Sequence, residues 1–146
     1  MKRFEERIDI EAPGDRVYAY VSDFARHGEW GGFGLEVTQD GDGPVQVGTT
    51  FSTVAKQFGT QREHSTITEM DAPTRFGWDS TGALGVVHHR FDVAGQGVTT
   101  TLTKSAEFTR ESFLAKITGW KVGKGIPEGL RSDLANIKAR LEQGPA

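Results

Sequence analysis

The 146-residue sequence contains no cysteine, which excludes structural disulfides, catalytic thiolates and zinc sites built on cysteine. No apolar run approaches the roughly 18 residues of a membrane span, and the opening residues MKRFEERIDIEAP lack the apolar segment of a signal peptide. A basic excess is also missing, because 17 Lys and Arg stand against 20 Asp and Glu, for a net charge of −3. We therefore expect a cytoplasmic protein with no nucleic-acid partner and no membrane span, built as one domain over residues 1–146.

Glycine, in contrast, is abundant, and its 19 residues are scattered without a period, which is typical of tight turns between short strands. Residues 3–11 alternate between polar and apolar side chains, with Phe4, Ile8 and Ile10 on one face. This period of two predicts a half-buried antiparallel strand. Runs rich in Val, Thr, Ile and Phe, separated by turn sequences, predict six more strands near 33–38, 48–57, 61–70, 74–80, 84–94 and 97–108.

Helical spacing follows the first strand. Pro13 stands where a helix can begin. The apolar residues after it, three or four positions apart, are Val17, Tyr20, Val21 and Phe24. A second short helix is predicted to pass through His27 and to end at Gly28.

Helical spacing returns near the carboxyl end, where Phe113, Ile117 and Trp120 form one apolar stripe. We expect an interruption at residues 123–125, which read Gly-Lys-Gly, with Pro127 in the first turn of the next helical segment. That segment continues the apolar spacing through Leu130, Leu134, Ile137 and Leu141.

The order of elements predicts an α+β fold in which the sheet curls round the C-terminal helix. A seven-stranded curved antiparallel sheet has one face to bury, and the long C-terminal helix is the element long enough to cover it. One or two short helices after the first strand close one end.

Several motifs of the sequence occur together in a known pattern. The opening has a small-residue–Pro step, a helical Val, an Asp and a Trp, at Ala12, Pro13, Val17, Asp23 and Trp30. A central hairpin carries Glu69, Pro73 and Trp78, a last strand covers residues 97–103, and the closing helix reads LANIKARLE. In this order the motifs resemble the START-related, or SRPBCC, helix-grip superfamily, which includes polyketide cyclases and dehydrases and lipid-transport proteins. The resemblance implies an α+β helix-grip fold.

The resemblance implies a cavity between sheet and helix that holds a small, largely apolar molecule. A dry apolar pocket of about 300 Å³ would destabilise the fold by roughly 7 kcal/mol, so the space must hold water, a ligand or side chains. Strand alternation and the resemblance nominate the ligand-binding residues Trp30, Phe33, Phe51, Trp78, His89, Phe91, Phe113 and Trp120. Trp30 is placed in the entrance loop, and Phe113 and Trp120 are expected to reach inside from the covering helix.

His89 is the inward-pointing group that could act as a base, and it is the catalytic candidate, although its partner cannot be named from the sequence. Each of the aromatic candidates can equally be plain core. His88 and His89 are neighbours on a strand and point to opposite sides, so they cannot chelate one ion. No phosphate-binding loop, calcium loop or nucleophile elbow is present, and we expect neither a metal nor a cofactor.

Three functions remain open. The first is a carrier or sensor for a small hydrophobic or aromatic molecule, lipid or polyketide-like. The second is a cyclase- or dehydrase-like enzyme that uses acid–base residues in the same cavity. The third is an interaction module, and a homodimer also stays open. A basic stripe is either a docking surface for an acidic partner or the solvated face of a helix, and it comprises Lys116, Lys121, Lys124, Arg131, Lys138 and Arg140.

Overall fold

A computed structural model describes residues 2–32, 34–56 and 60–143. Within these residues the strands are β1 (Arg3–Ile10), β2 (Glu36–Gln39), β3 (Thr50–Lys56), β4 (Thr60–Asp71), β5 (Arg75–Gly82), β6 (Gly85–Gln96) and β7 (Thr99–Glu111). The helices are α1 (Gly14–Val21), α2 (His27–Trp30), α3 (Phe113–Ile117) and α4 (Gly119–Glu142), with a 3₁₀ turn at Phe24–Arg26 before α2.

All strands form one sheet in the order β1-β7-β6-β5-β4-β3-β2, and every neighbouring pair is antiparallel. Register shifts interrupt β4 between Ile67 and Glu69 and β6 between Val86 and Val87. Bulges of this kind bend strands and increase their twist, so the sheet curves. The predicted α+β helix-grip architecture is confirmed.

The concave face of the sheet carries the core. The predicted alternation holds on the central strands, where Phe76 and Trp78 of β5 and Phe91 and Val93 of β6 are buried. The C-terminal half of α4 packs into the same core through Leu134, Ile137 and Leu141. Sheet and long helix therefore share one apolar interior at this end of the molecule.

The C-terminal helices begin and end at positions that differ from the prediction. The expected break at Gly123–Gly125 is wrong, because α4 is continuous from Gly119 and contains Pro127 in its interior. The break lies at Thr118, whose backbone is not helical (φ −106°, ψ 18°) and whose hydroxyl donates to the Leu114 carbonyl at 2.7 Å. In the described part of the chain no helix is long and apolar enough to cross a membrane.

The position of the break determines which sides of α3 and of the start of α4 face the interior. Ala115 and Val122 face inward, whereas Phe113 is 78% exposed and Trp120 is 73% exposed. The expectation that these two aromatic rings reach inside is wrong, because small residues occupy the inner face of this segment and large ones the outer face.

Candidate ligand-binding cavity

A cavity of about 890 Å³ lies between the sheet and the N-terminal half of α4. Its apolar walls come from the turn between β5 and β6, from β7 and from the two C-terminal helices: Leu84, Ala106, Leu114, Val122, Ile126 and Leu130. Its inner polar groups are His89, Lys104 and Asp133. A smaller space of about 150 Å³ adjoins it and shares Leu84, His89 and Ile126. The larger volume falls in the range of pockets that enclose drug-sized ligands.

Lys104 is the charged group on the sheet side of this cavity. It lies on the inner face of β7 and is buried, and its Nζ donates to Asp133 Oδ2 on α4 at 2.8 Å. The ammonium also lies over three aromatic rings, 5.4 Å from the centroid of Trp30 and 5.8 Å from those of Trp78 and Phe91. A buried cation needs such compensation, which the carboxylate and the ring faces supply.

His89 of β6 also lines the cavity, and the structure identifies its hydrogen-bond partner. Its Nε2 lies 3.1 Å from the Ser80 hydroxyl of β5, and its ring stacks on Trp78 at 5.0 Å between centroids. Removal from water lowers the pKa of His89 well below its ordinary value, and the nearby Lys104 cation lowers it further. His89 is therefore a neutral imidazole near pH 7.

A second histidine completes the polar interior. His27 of α2 stacks on Trp30 at 4.0 Å, and burial, followed by the field of Lys104, lowers its pKa well below the usual range. Although both histidine residues keep some accessible surface, their Nδ1 atoms and the Trp30 Nε1 are buried without a hydrogen-bond partner in the parts of the chain that the structure describes. Neutral rings therefore lie beside the buried Lys104 ammonium.

His88 lies on the opposite face of β6, as the alternation predicts. Its Nδ1 is 2.7 Å from Asp79 and its Nε2 is 3.1 Å from Glu69. Both nitrogens are thus engaged in contacts on the outer surface, and His88 and His89 point to opposite faces of β6, as predicted. Among the described residues no group of three His, Asp or Glu side chains could hold a metal ion.

The structure brings only some of the predicted site residues together. His89 lines the cavity, whereas Trp78 and Phe91 are buried in the core, with their rings 5.8 Å from the Lys104 ammonium, and are not among the cavity walls. Trp30 is also buried and belongs to α2, so its placement in an entrance loop is wrong. Phe51 packs against Phe24, 4.7 Å between ring centroids, and is not among the cavity walls.

The other predicted residues are not among the described residues that line the cavity either. Phe33 lies outside the described residues, and Phe113 and Trp120 are on the outer surface. Sequence reasoning missed Lys104, Asp133 and His27. For Lys104 a signal existed, since it alternates with Leu102 and Ala106 on the inward face of β7.

The family profile described as "Polyketide cyclase / dehydrase and lipid transport" matches residues 1–142 of the sequence. This chain belongs to that family. The resemblance to the helix-grip superfamily is thereby confirmed. A search of curated proteins finds no match.

Solved structures share the fold of this polyketide cyclase / dehydrase and lipid transport family member. The solution structure of a protein from Arthrobacter aurescens is 21% identical, with a TM-score of 0.74 over 97% of this chain and 87% of that chain. The protein TTHA0849 from Thermus thermophilus is 17% identical, with a TM-score of 0.75 over 99% of this chain and 100% of that chain.

A third similar structure is the di-domain ARO/CYC BexL from the BE-7585A biosynthetic pathway. It is 18% identical to this family member, with a TM-score of 0.78 over 99% of this chain and 48% of that chain. At these identities the similarity shows the fold alone.

Proposed function

We propose that the chain binds a small, largely apolar molecule, aromatic, polyketide-like or lipid, in the cavity between the sheet and α4, as a carrier or sensor. The observation that carries the proposal is the cavity of about 890 Å³, with its largely apolar lining and the Lys104–Asp133 pair in its wall. Small-molecule sites are commonly apolar clefts with a few placed polar groups that fix the orientation of the ligand.

The polar groups favour a ligand that carries an oxygen at one end. Lys104 and His89 line the cavity from the sheet, and Asp133 lines it from α4 and accepts from Lys104 at 2.8 Å. Much of the remaining wall is aliphatic, with Leu84 and Leu114, and further polar side chains come from the two C-terminal helices. A carbonyl or phenol oxygen can accept from the Lys104 ammonium while its apolar body removes aliphatic surface from water.

The electrostatics support binding over proton transfer. A general base works best when its pKa lies near the working pH, and the pKa of His89 is held well below that of an ordinary histidine. His89 is then a weak base but a good neutral hydrogen-bonding group.

A cavity-filling variant tests this proposal. Gly129 of α4 lines the cavity, and a Cβ added there meets no heavy atom of the described residues within 4 Å. Gly129→Phe should therefore fold normally and weaken saturable binding of an environment-sensitive naphthalene dye by tenfold or more, as measured by fluorescence titration.

The matched control is Gly123→Phe, in the same helix, equally open to a new Cβ and not part of the cavity wall. It should bind the dye as the unmodified protein does. Native mass spectrometry of freshly purified protein adds a second readout through co-purified small molecules. Absence of saturable dye binding in the unmodified protein, or equal binding by the Gly129→Phe and Gly123→Phe variants, would contradict the proposal.

A cyclase- or dehydrase-type activity is the second candidate. The contact of 3.1 Å between His89 Nε2 and the Ser80 hydroxyl, beside the Lys104–Asp133 pair, favours it. Such a site could assist removal of a proton next to a ketone, attack of that carbon on a second ketone, and loss of water. Incubation with a linear poly-β-ketone thioester should then give a cyclised, dehydrated product by mass spectrometry, and His89→Ala should abolish turnover while leaving dye binding.

A further inference from the structure

Large apolar side chains are exposed on the outer face of α3 and the start of α4. Phe113 and Trp120 are the most exposed, and Leu114 and Ile117 are 45% and 57% exposed. We call these four residues the α3–α4 patch. Phe113 and Ile117 are four positions apart on α3 and so lie on one side of it. Burial of such side chains in a protein core is the rule, and a cluster of exposed ones marks a surface that meets an apolar partner.

Within the segment that carries the patch the charge is of one sign. Residues 112–127, between Glu111 and Glu128, contain Lys116, Lys121 and Lys124 and no acidic residue, although the whole chain has a net charge of −3. All three lysines are exposed, and the Lys121 ammonium lies 5.2 Å from the centroid of the Trp120 ring. A fourth cation, Lys2, reaches the Gly119 carbonyl at 3.4 Å. Positive charge therefore lies among the apolar residues of this segment.

The patch also borders the cavity. Leu114 belongs to the patch and to the cavity wall, and Thr118 and Lys121 line the cavity between its apolar members. A molecule that enters or leaves on this side passes along the patch.

We propose that the α3–α4 patch docks on an anionic lipid bilayer surface, with Trp120 and Phe113 inserted at the headgroup level and the lysines on the lipid phosphates. Segments that lie in a membrane interface combine aromatic and aliphatic side chains with lysines in this way. The lysine stems can lie along the apolar surface while their ammonium groups stay with the headgroups.

The charges disfavour a second copy of the chain as the occupant. A symmetric dimer through this patch would place the same surface against itself, and so bring Lys116, Lys121 and Lys124 of one copy toward those of the other. An anionic bilayer offers complementary charge to all of them at once.

Vesicle binding tests the proposal. The purified chain should co-sediment with vesicles of phosphatidylcholine and phosphatidylglycerol, should not co-sediment with phosphatidylcholine alone, and should be released by high salt. All three tryptophans lie in the described ranges, Trp30 and Trp78 are buried and Trp120 is exposed, so the vesicles should shift the emission of Trp120 to shorter wavelength.

Substitutions at residues outside the cavity wall test whether the α3–α4 patch is the surface that binds vesicles. Trp120→Ser should weaken vesicle binding about tenfold and remove the emission shift. Replacement of Lys116 or Lys124 by Gln should weaken binding about fivefold each, as expected for a lysine near an anionic surface. The matched controls are Val98→Ser, since Val98 is 74% exposed on the distant β6–β7 turn, and Lys56→Gln on β3, and both should bind as the unmodified chain does.

Three results would overturn the proposal: no binding to anionic vesicles, equal loss in the Val98 and Trp120 variants, or a concentration-dependent dimer that shields Trp120 from acrylamide. The biological role of docking rests on the proposed function, but vesicle binding can be measured independently of it. Dye binding without vesicles tests the cavity alone, and Trp120→Ser should retain it. Loss of dye binding with vesicle binding intact would remove the ligand proposal and leave the docking surface standing.

Discussion

Lys104 determines the electrostatics of the interior. A buried ammonium without a partner would be strongly destabilising, and Asp133 at 2.8 Å together with the rings of Trp30, Trp78 and Phe91 compensates it. The same charge acts on both interior histidines, since it disfavours a second cation nearby. Burial and this one lysine together keep His27 and His89 neutral.

Neutral buried histidines make the fold sensitive to acid. In the unfolded chain His27 and His89 take up protons below about pH 6.5, whereas in the folded chain their lowered pKa values keep them unprotonated. The unfolded state therefore binds more protons, and the free energy of unfolding should fall by about 1 kcal/mol per histidine between pH 6.5 and 5.5. Urea unfolding at pH 7.5, 6.5 and 5.5 measures this fall in the free energy of unfolding.

Two variants assign the fall to the buried histidines. His27→Phe should remove about half of it, and His64→Gln, at an exposed position on β4, should leave it unchanged. A free energy of unfolding that stays constant from pH 7.5 to 5.5 would contradict this account.

For individual residues of the interior, the sequence predicted the aromatic side chains that face inward but not the charged ones. Phe76, Trp78, Phe91 and their neighbours follow strand alternation, and burial is the ordinary fate of such side chains. Lys104 shares that alternation, yet lysine is almost never fully buried without a partner, and the partner lies 29 residues away on another element. Only the tertiary structure brings Asp133 to it.

Among the elements, α4 is unusual in its composition. Its first half contains Gly119, Gly123, Gly125 and Gly129 as well as Pro127, which are all poor helix formers. Intrinsic preference favours a break here, and the prediction placed one at residues 123–125. The structure places it at Thr118 instead, because the inward contacts of Val122 and Leu130 hold the glycine-rich turns in the helix.

The helix should therefore respond to glycine replacement. Gly123→Ala adds a Cβ with no heavy atom of the described chain within 4 Å and should raise the free energy of unfolding by about 0.5–1 kcal/mol. Gly85→Ala is the opposite case, since Gly85 has a φ of +110° and a Cβ would overlap the Arg110 carbonyl oxygen, so it should destabilise. Thermal and urea unfolding of the two variants give the comparison. A destabilised Gly123→Ala protein would show that the glycine is required there.

The sequence predicted the strands of the sheet well because turn residues and period-two alternation mark each one locally. The sequence did not predict which sides of α3 and α4 are buried. The apolar stripe of Phe113, Ile117 and Trp120 is exposed in the structure. Spacing shows that a helix has an apolar side, but it cannot say whether that side meets the core or another partner.

At the scale of the whole molecule, the buried apolar side chains of the described residues form two clusters of different size. The larger one includes Leu134, Ile137 and Leu141 from the C-terminal half of α4. Polar contacts add to it, since Lys138 Nζ donates to the Asp9 carbonyl of β1 at 2.7 Å. The smaller cluster holds the N-terminal half through Val122 and Leu130, beside the cavity. The C-terminal half of α4 is therefore anchored by more buried contacts than the N-terminal half, which lies beside the cavity.

Amide hydrogen exchange should follow this division. After correction for intrinsic rates, amides of residues 122–130 should exchange at least about tenfold faster than those of residues 134–141, because fewer buried contacts oppose local opening. Saturation with the dye should slow the first group and leave the second unchanged. Mass spectrometry of peptides from the two halves measures both effects. Uniform protection along the helix would contradict the division.

For the proposed ligand, the uneven anchoring of α4 makes affinity and residence time depend on different residues. We expect affinity to depend on the wall that the ligand touches, and release to depend on how readily the glycine-rich turns of α4 open. Gly123 belongs to those turns and not to the wall. Stiffening the backbone at that position would lengthen the residence time of a guest while leaving its contacts unaltered, so the kinetics of release can be engineered independently of recognition.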